Sequence, residues 1–235
     1  RLEINFANFR NIPQIDCIGI SPDKQKIVAK INTVEFNSSI SSPENLGSGV
    51  NSPYHDMLPI ISPDGRTLYF ARKKAPENLG IEKKDDIYVS QRQTSGFWSN
   101  AYNIGTPLNT DEHNFVCAIS PDGNTMYLAN KYDYRTESQG VAVSQKQKNG
   151  TWSKPKPLDI SNMYNKSRFA CYHLSIDEKV LVMAIERDDT QGDMDLYVSF
   201  RYADGNWSEP MNMGNDLNTA GAEASVFIAA DGKTL

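Results

Sequence analysis

The sequence of 235 residues has little of what builds disulfide frameworks, membrane spans or nucleic-acid-binding faces. Its three cysteines are an odd number, so they cannot form a complete disulfide framework. It contains no run of 18 apolar residues, which excludes a membrane-spanning helix. Its 24 basic residues are scattered among 29 acidic ones and the net charge is −5, so we expect no nucleic-acid partner.

The sequence also lacks the apolar period of 3.6 residues that would place helices between strands, which argues against an α/β fold. It contains an internal repeat instead. The first repeated signature is a tight turn, ISPDG or a relative of it. It occurs at Ile20–Lys24, Ile61–Gly65, Ile119–Gly123, Leu174–Glu178 and Ile228–Gly232.

Three further signatures follow the turn in a constant order, with steps of 54 and 55 residues between copies of the first of them. They are DIYVS at Asp86–Ser90 with relatives at Gly140–Ser144 and Asp195–Ser199, GxWS at Gly96–Ser99, Gly150–Ser153 and Gly205–Ser208, and NIGTPLNT at Asn103–Thr110 with relatives at Asn45–Ser52 and Asn212–Thr219. Four ordered signatures at nearly one period indicate a repeat architecture.

Each signature has a predicted structural role. In the turn, Pro63 fixes φ, Asp64 tolerates the bridge region and Gly65 fits the exit, so we expect a hairpin between two buried strands. DIYVS reads as a third strand with Ile87 and Val89 on one face. The fourth strand is expected to begin near the tryptophan of GxWS.

A four-stranded antiparallel unit cannot bury both of its faces, but radial stacking of copies can. We therefore predict an all-β fold, a β-propeller of four-stranded blades. Residues 1–235 form one propeller region, with repeats at roughly 1–52, 53–110, 111–164, 165–219 and a partial repeat at 220–235. Because the sequence stops inside the fifth repeat, we expect it to be a fragment of a longer protein.

These motifs resemble the WD40-like repeat of the TolB-type propeller family, in the variant common in Bacteroidetes envelope proteins. Asp56 and Glu223 match the family's acidic position, and Pro59 matches the following proline. Pro155 and Pro210 fit the WSxP position. The sequence departs from the pattern at three positions: Ala101, Ile176 and Glu178. The motifs are specific for the fold and carry little information about function.

The resemblance implies a cellular setting. Propellers of this group often lie in periplasmic or outer-membrane lipoproteins beside peptidoglycan-binding domains, and some belong to the type IX secretion machinery. It therefore implies a periplasmic, outer-membrane-associated location and other envelope proteins as partners, with peptidoglycan contacted only through domains absent from this sequence. It implies no cofactor.

Candidate chemistry is sparse. No G-x-S-x-G elbow occurs, and Glu112, Glu137 and Glu223 are the carboxylates to inspect for a glycosidase pair. His55 and His113 share a repeat position but have no evident third zinc ligand. The densest acidic cluster is a weak calcium candidate made of Asp188, Asp189, Asp193 and Asp195. The repeated tryptophans are expected to pack between blades, with a sugar-binding platform as the alternative.

Partner contacts are expected in loops that the repeat does not dictate, since loops carry binding in such scaffolds. The candidates are Tyr132, Tyr134 and Arg135 in one long loop, and Lys73 and Lys74 at the start of the window Lys73–Lys84. We therefore expect a non-enzymatic scaffold that binds other proteins. The alternative is a glycan-active or glycan-binding propeller with a site at the channel mouth.

Overall fold

A computed structural model describes residues 45–130, 132, 139–229 and 235 with their side chains, and the backbone of two earlier strands. These residues form fourteen strands, and no helix is found among them. The two earlier strands are β1 (Ile12–Ile20) and β2 (Ile27–Val34), which form an antiparallel pair. The turn between them lies outside the described residues.

The other twelve strands form three four-stranded antiparallel sheets, each in simple chain order. The first sheet contains β3 (His55–Ile61), β4 (Thr67–Lys73), β5 (Asp85–Gln91) and β6 (Tyr102–Asn103). The second contains β7 (Val116–Ile119), β8 (Thr125–Leu128), β9 (Ala142–Gln145) and β10 (Lys156–Pro157). The third contains β11 (Cys171–Leu174), β12 (Val180–Ile185), β13 (Asp195–Phe200) and β14 (Met211–Asn212).

The all-β, four-stranded antiparallel unit expected from the sequence is thus confirmed three times. Each sheet lies inside one repeat, at 53–110, 111–164 and 165–219 respectively. This is the strand arrangement of a propeller blade. Closure of blades into a ring, and their number, stay predictions.

The repeated turn closes the first hairpin of each sheet as the sequence predicts. In the first sheet the Gly65 amide donates to the Ser62 carbonyl (2.8 Å), and Gly65 has φ of 68°. The Ser62 hydroxyl donates to Asp64 (2.6 Å) and accepts from the Thr67 amide (2.8 Å), while Asp64 also accepts from the Arg66 amide. The Ser-x-Asp pair therefore satisfies the orphan amides of the turn.

Two expectations about the first sheet are wrong. Strand β3 is not buried along its length, since Leu58 and Ile61 are about half exposed. The reason is a bulge between Met57 and Ile60, where Leu58 takes φ of 53° and the alternation of faces is lost. The fourth strand does not begin at Trp98, which makes only an isolated bridge with Arg92; β6 starts at Tyr102.

The serines of DIYVS and GxWS join the third strand to the segment that follows it. The Ser90 hydroxyl donates to the Ser99 carbonyl (2.7 Å), and the Ser99 hydroxyl accepts from the Gln91 amide (3.0 Å). The same bonds recur at Ser144 with Ser153 and at Ser199 with Ser208. These motif residues are therefore used inside each sheet.

The contacts divide the chain into two compact units. One unit holds the first two sheets and ends at Leu158. The other holds the third sheet, in Asp159–Leu235, together with the earlier strands β1 and β2. In the first unit a core cluster joins the two sheets through Ile87, Val89 and Met126, so Ile87 and Val89 share a face as predicted. Among the described residues, no helix is long and apolar enough to cross a membrane.

Candidate functional site

The residues of NIGTPLNT form a buried hydrogen-bond lock on strand β5. The Asn109 side chain accepts from the Ile87 amide (2.8 Å) and donates to the Ile87 carbonyl (3.0 Å) and to Asn103 (2.8 Å). Asn103 in turn donates to Asp86 (2.8 Å) and accepts from the Gly105 amide. We call Asp86, Asn103 and Asn109 the Asp-Asn-Asn lock.

The fourth repeat contains the same lock, 109 residues further along. Asn218 bonds both main-chain groups of Leu196 and also Asn212, and Asn212 donates to Asp195. The recurring polar residues of the second and fourth repeats are thus used to hold each of these two sheets together.

One segment that differs between repeats is the loop Lys74–Lys84 between β4 and β5, which we call the β4–β5 loop. Its centre is the buried Asn78, whose side chain donates to the Arg72 carbonyl (2.7 Å) and to the Lys84 carbonyl (2.5 Å). The Tyr88 hydroxyl donates to the Asn78 side-chain oxygen (2.9 Å). One side chain therefore bridges both ends of the loop and anchors them to β5.

Two lysines continue this framework in an unusual backbone conformation. Lys74 and Lys83 have φ of 61° and 49°, in the left-handed region that L side chains rarely adopt. The Lys74 ammonium donates to the Glu82 carbonyl (2.7 Å), and the Lys83 ammonium donates to the Asn78 carbonyl (2.6 Å). Strained residues of this kind persist only where the surroundings fix them, and they are frequent at functional positions.

The loop also packs against the start of the next repeat. Gly80 has φ of 68°, and a Cβ placed there would lie 2.8 Å from the Asp111 Cβ, so the contact requires glycine. The Lys84 ammonium bonds Glu112 (2.7 Å), which raises the pKa of that lysine. Next to it, His113 contacts the Asp85 carboxylate.

At the tip of this fixed loop lies Ile81, whose side chain is 100% exposed. Its neighbour Glu82 is also largely exposed, with its carboxylate 3.6 Å from the Lys84 ammonium. The arrangement presents an apolar side chain on a preformed backbone. Sequence reasoning flagged the window Lys73–Lys84 but missed Asn78 and Ile81. The available signal was an apolar residue between Gly80 and the charged run Glu82–Lys84.

The structure places the predicted partner-binding residues in different environments. Lys74 is exposed on the β4–β5 loop, and Lys73 is half-buried at the end of β4, so both lie beside the candidate site. The prediction that Tyr132 contacts a partner is corrected by the structure. The Tyr132 ring lies in the core, and its hydroxyl donates to the Leu108 carbonyl (2.5 Å). Tyr134 and Arg135 lie outside the described residues.

The weak calcium candidate is not supported. Asp195 is buried in its lock, Asp189 accepts from the Tyr197 hydroxyl (2.8 Å), and Asp188 contacts Lys166. In the part of the chain that the structure describes, no three His, Cys, Asp or Glu side chains come together in a way that could hold a metal ion. Asp188, Asp189 and Asp195 each have a separate structural partner.

The other sequence candidates also have local partners. Glu112 pairs with Lys84, Glu223 accepts from the Thr219 hydroxyl (2.7 Å), and Glu137 lies outside the described residues. His113 contacts Asp85, and no metal group includes it or His55 among the described side chains.

Two of the repeated tryptophans, Trp98 and Trp152, pack against apolar clusters. Trp207 is buried, which excludes it as a sugar platform, while Trp98 and Trp152 are partly buried. Trp152 packs against the cluster shared by the first two sheets, in line with packing between blades.

Burial raises pKa values of side chains in the first sheet. Burial raises the pKa of Asp86 above its ordinary value, although bonds from Asn103 and the Leu79 amide oppose the shift. Burial likewise raises the pKa of Tyr69 to about 12.

No protein-family model matches the chain, and no curated protein is significantly similar to it. The solved structures that are similar over most of the chain include TolB from Acinetobacter baumannii (13% identity, TM-score 0.44), a putative 6-phosphogluconolactonase from Bacteroides uniformis (18% identity, TM-score 0.42) and a puromycin hydrolase mutant complexed with PGG (11% identity, TM-score 0.47). The matches cover 94%, 88% and 97% of this chain but only 45%, 56% and 32% of those structures.

Proposed function

We propose that the chain is a non-catalytic, protein-binding part of a β-propeller that acts as a scaffold. The observation that carries the proposal is that polar residues which recur between repeats have different contacts from those which do not. Those that recur, such as Asn109 and Ser90, bond within the blade. Those that do not recur build the strained β4–β5 loop, which exposes Ile81.

A rigid loop with an exposed apolar tip suits recognition of a protein surface. Rigidity lowers the entropy that is lost on binding, because the loop is already ordered in the unbound protein. A buried apolar side chain then supplies the favourable energy. A catalytic site would need convergent titratable groups. In this loop the Lys84 ammonium pairs with Glu112 of the next repeat, and the Lys74 and Lys83 ammoniums bond main-chain carbonyls.

The assembly that we propose is a bacterial envelope complex. This rests on the resemblance of the repeat motifs to TolB-type propellers of outer-membrane-associated lipoproteins. The location is accordingly periplasmic, the partners are other envelope proteins, and the type IX secretion machinery is one such assembly. Domains beyond this sequence would supply any contact with peptidoglycan.

The test is co-purification of the full-length protein from the envelope of cells that produce it, after reversible cross-linking. We expect a stoichiometric protein partner that is retained at physiological salt. In parallel, the purified protein is incubated with a panel of envelope glycans and peptides. Turnover that a single carboxylate substitution abolishes would replace the scaffold by the glycan-active alternative. Glycan binding without turnover or a protein partner would favour the glycan-binding form.

A further inference from the structure

We propose that Asn149 is a site of spontaneous covalent modification, at which the side-chain amide is converted to a carboxylate through a cyclic imide formed with Gly150. The reaction consumes only water, and it is independent of the proposed binding function. Asn149–Gly150 is the only Asn-Gly pair in the sequence. Because glycine has no side chain, its main-chain nitrogen can approach a neighbouring group more closely than that of any other residue.

The reaction is an attack of a main-chain nitrogen on the side chain that precedes it. The Gly150 nitrogen gives its proton to solvent and forms a bond to Asn149 Cγ, and the bond from Cγ to Nδ2 breaks as ammonia leaves. Water then opens the five-membered imide at one of its two carbonyls, which leaves aspartate or isoaspartate at position 149. Each conversion adds one negative charge to the net charge of −5.

The first argument is that hydrogen-bond donors lie on the oxygen that becomes negative in this attack. Asn149 Oδ1 accepts from the Thr151 amide (3.1 Å) and from the Thr151 hydroxyl (2.7 Å). The hydroxyl also lies 2.8 Å from Gln147 Oε1, so its one proton is shared between two oxygens. Negative charge develops on Oδ1 when Cγ is attacked, and donors placed there stabilise that charge.

The second argument is that little holds the turn closed. The Gly150 amide donates to the Gln147 carbonyl (2.8 Å), so this bond must open before the nitrogen can attack. Residues 145–151 are all exposed. Local opening requires little free energy where few buried contacts hold a segment. The nitrogen is therefore released without unfolding of the sheet.

The third argument is that the fourth repeat already has aspartate in the same turn. There the Gly205 amide donates to the Tyr202 carbonyl (3.0 Å), as its counterpart does in the third repeat. Asp204 accepts from the Asn206 amide (3.0 Å), which corresponds to the main-chain bond of Asn149. Gly205 has φ of 93°, close to the 84° of its counterpart. The aspartate product is therefore compatible with this turn.

The experiment incubates the full-length protein at mildly alkaline pH and follows its peptides by mass spectrometry. We expect conversion at Asn149 to both aspartate and isoaspartate, and none over the same time at Asn124. Asn124 is the matched control because it is also exposed and follows a hairpin turn of the third repeat, but it precedes the β-branched Thr125. The rate at Asn149 should fall at lower pH, since the attacking nitrogen must lose its proton. Full retention of the Asn149 amide, or equal conversion at both positions, would overturn the proposal.

Two variants test the donors on Oδ1. Thr151→Val removes the hydroxyl and keeps the branched shape, so we expect conversion at Asn149 to slow by about 2- to 10-fold, the factor that one hydrogen bond gives. Thr151→Ser keeps the hydroxyl and should convert within about twofold of wild type. A rate in Thr151→Val equal to or above that of wild type would refute the role of the hydroxyl.

Asn149→Asp tests whether the turn accepts the product. We expect its melting temperature to equal that of wild type, because Asp204 makes the corresponding bond in the fourth repeat. A lower melting temperature would contradict that comparison. None of these measurements requires a partner protein, so the outcome is separate from that of the proposed function.

Discussion

The second and third repeats show two ways of holding the same four-stranded sheet. In the second repeat the Asp-Asn-Asn lock ties β6 and the following segment to β5. The equivalent positions of the third repeat, 54 residues later, are Gly140, Pro157 and Met163, which cannot make these bonds. The main-chain bond at the same place persists, from the Leu158 amide to the Val141 carbonyl.

The second and third repeats also differ in the polar residues in and beside their first two strands. Asp56 and Arg72 form a buried ion pair in the second repeat (2.5 Å), and Arg72 also lies over the Tyr88 ring. In the third repeat Asn114 and Asn130 occupy the equivalent positions, 58 residues later. The backbone path is thus retained when the polar network changes. We infer that the sheet is defined by its turn and strands, and that the networks set how firmly each blade is held.

The largest expected effect comes from breaking the buried ion pair. Asp56→Ala leaves the Arg72 charge buried without its partner, so we expect a loss of about 3–5 kcal/mol in the free energy of unfolding. Urea denaturation measures it. The double variant Asp56→Ala with Arg72→Met removes both charges and should recover much of the loss. Failure of the second substitution to recover any stability would show that the pair is not the cause.

The Asp-Asn-Asn lock provides the next effect. Asn109→Ala removes three side-chain bonds and leaves the buried Ile87 amide without its acceptor, so we expect a loss of about 2–3 kcal/mol. Met163→Ala, at the equivalent position of the third repeat, is the matched control and should cost about 1 kcal/mol or less. Hydrogen exchange at the Ile87 amide should accelerate in the first variant only. Equal losses in both variants would contradict the comparison.

Substitutions at the last position of the repeated turn should change the free energy of unfolding by a smaller amount, and in opposite directions in different repeats. Gly65 and Gly123 have φ near 70°, whereas Glu178 holds the same position in the fourth repeat with φ of 57°. Glu178→Gly should therefore stabilise the protein by about 1 kcal/mol, and Gly123→Ala should destabilise it by a similar amount. Thermal unfolding checks both. A destabilising Glu178→Gly would mean that the glutamate side chain compensates for its backbone strain.

Interactions between residues close together in the sequence were predictable, whereas interactions between distant residues were not. The Ser-Pro-Asp-Gly turn was predictable because Ser62, Asp64 and Gly65 interact with one another and with the next few residues. Asn109 was recognised as part of a repeated motif, but its role was not. Its partner, Ile87, lies 22 residues earlier, and no local pattern encodes that pairing.

The candidate site was predictable only as a window of the chain. Tyr132 was taken for a loop residue that meets a partner, yet its hydroxyl reaches the carbonyl of Leu108, 24 residues away. Ile81 has no periodic partner in the sequence and was not singled out. The bonds of Asn78 fix its loop within the second repeat, and the contact of Gly80 with Asp111 becomes visible only when two repeats are placed side by side.

The smallest expected effect is a pH dependence that belongs to the second repeat, because the third has Gly140 where Asp86 stands. Burial raises the pKa of Asp86 above 3.8, so the folded state binds its proton more tightly than the unfolded state does. The stabilisation from this proton is complete at low pH and is lost as pH rises through the raised pKa. In Asp86→Asn this dependence is absent, while the amide oxygen can still accept from Asn103. The free energy of unfolding of wild type relative to this variant should therefore fall as pH rises from about 4 and level off above the pKa. A difference that is flat with pH, or that grows, would show that the bonds from Asn103 and the Leu79 amide outweigh the burial of the carboxylate.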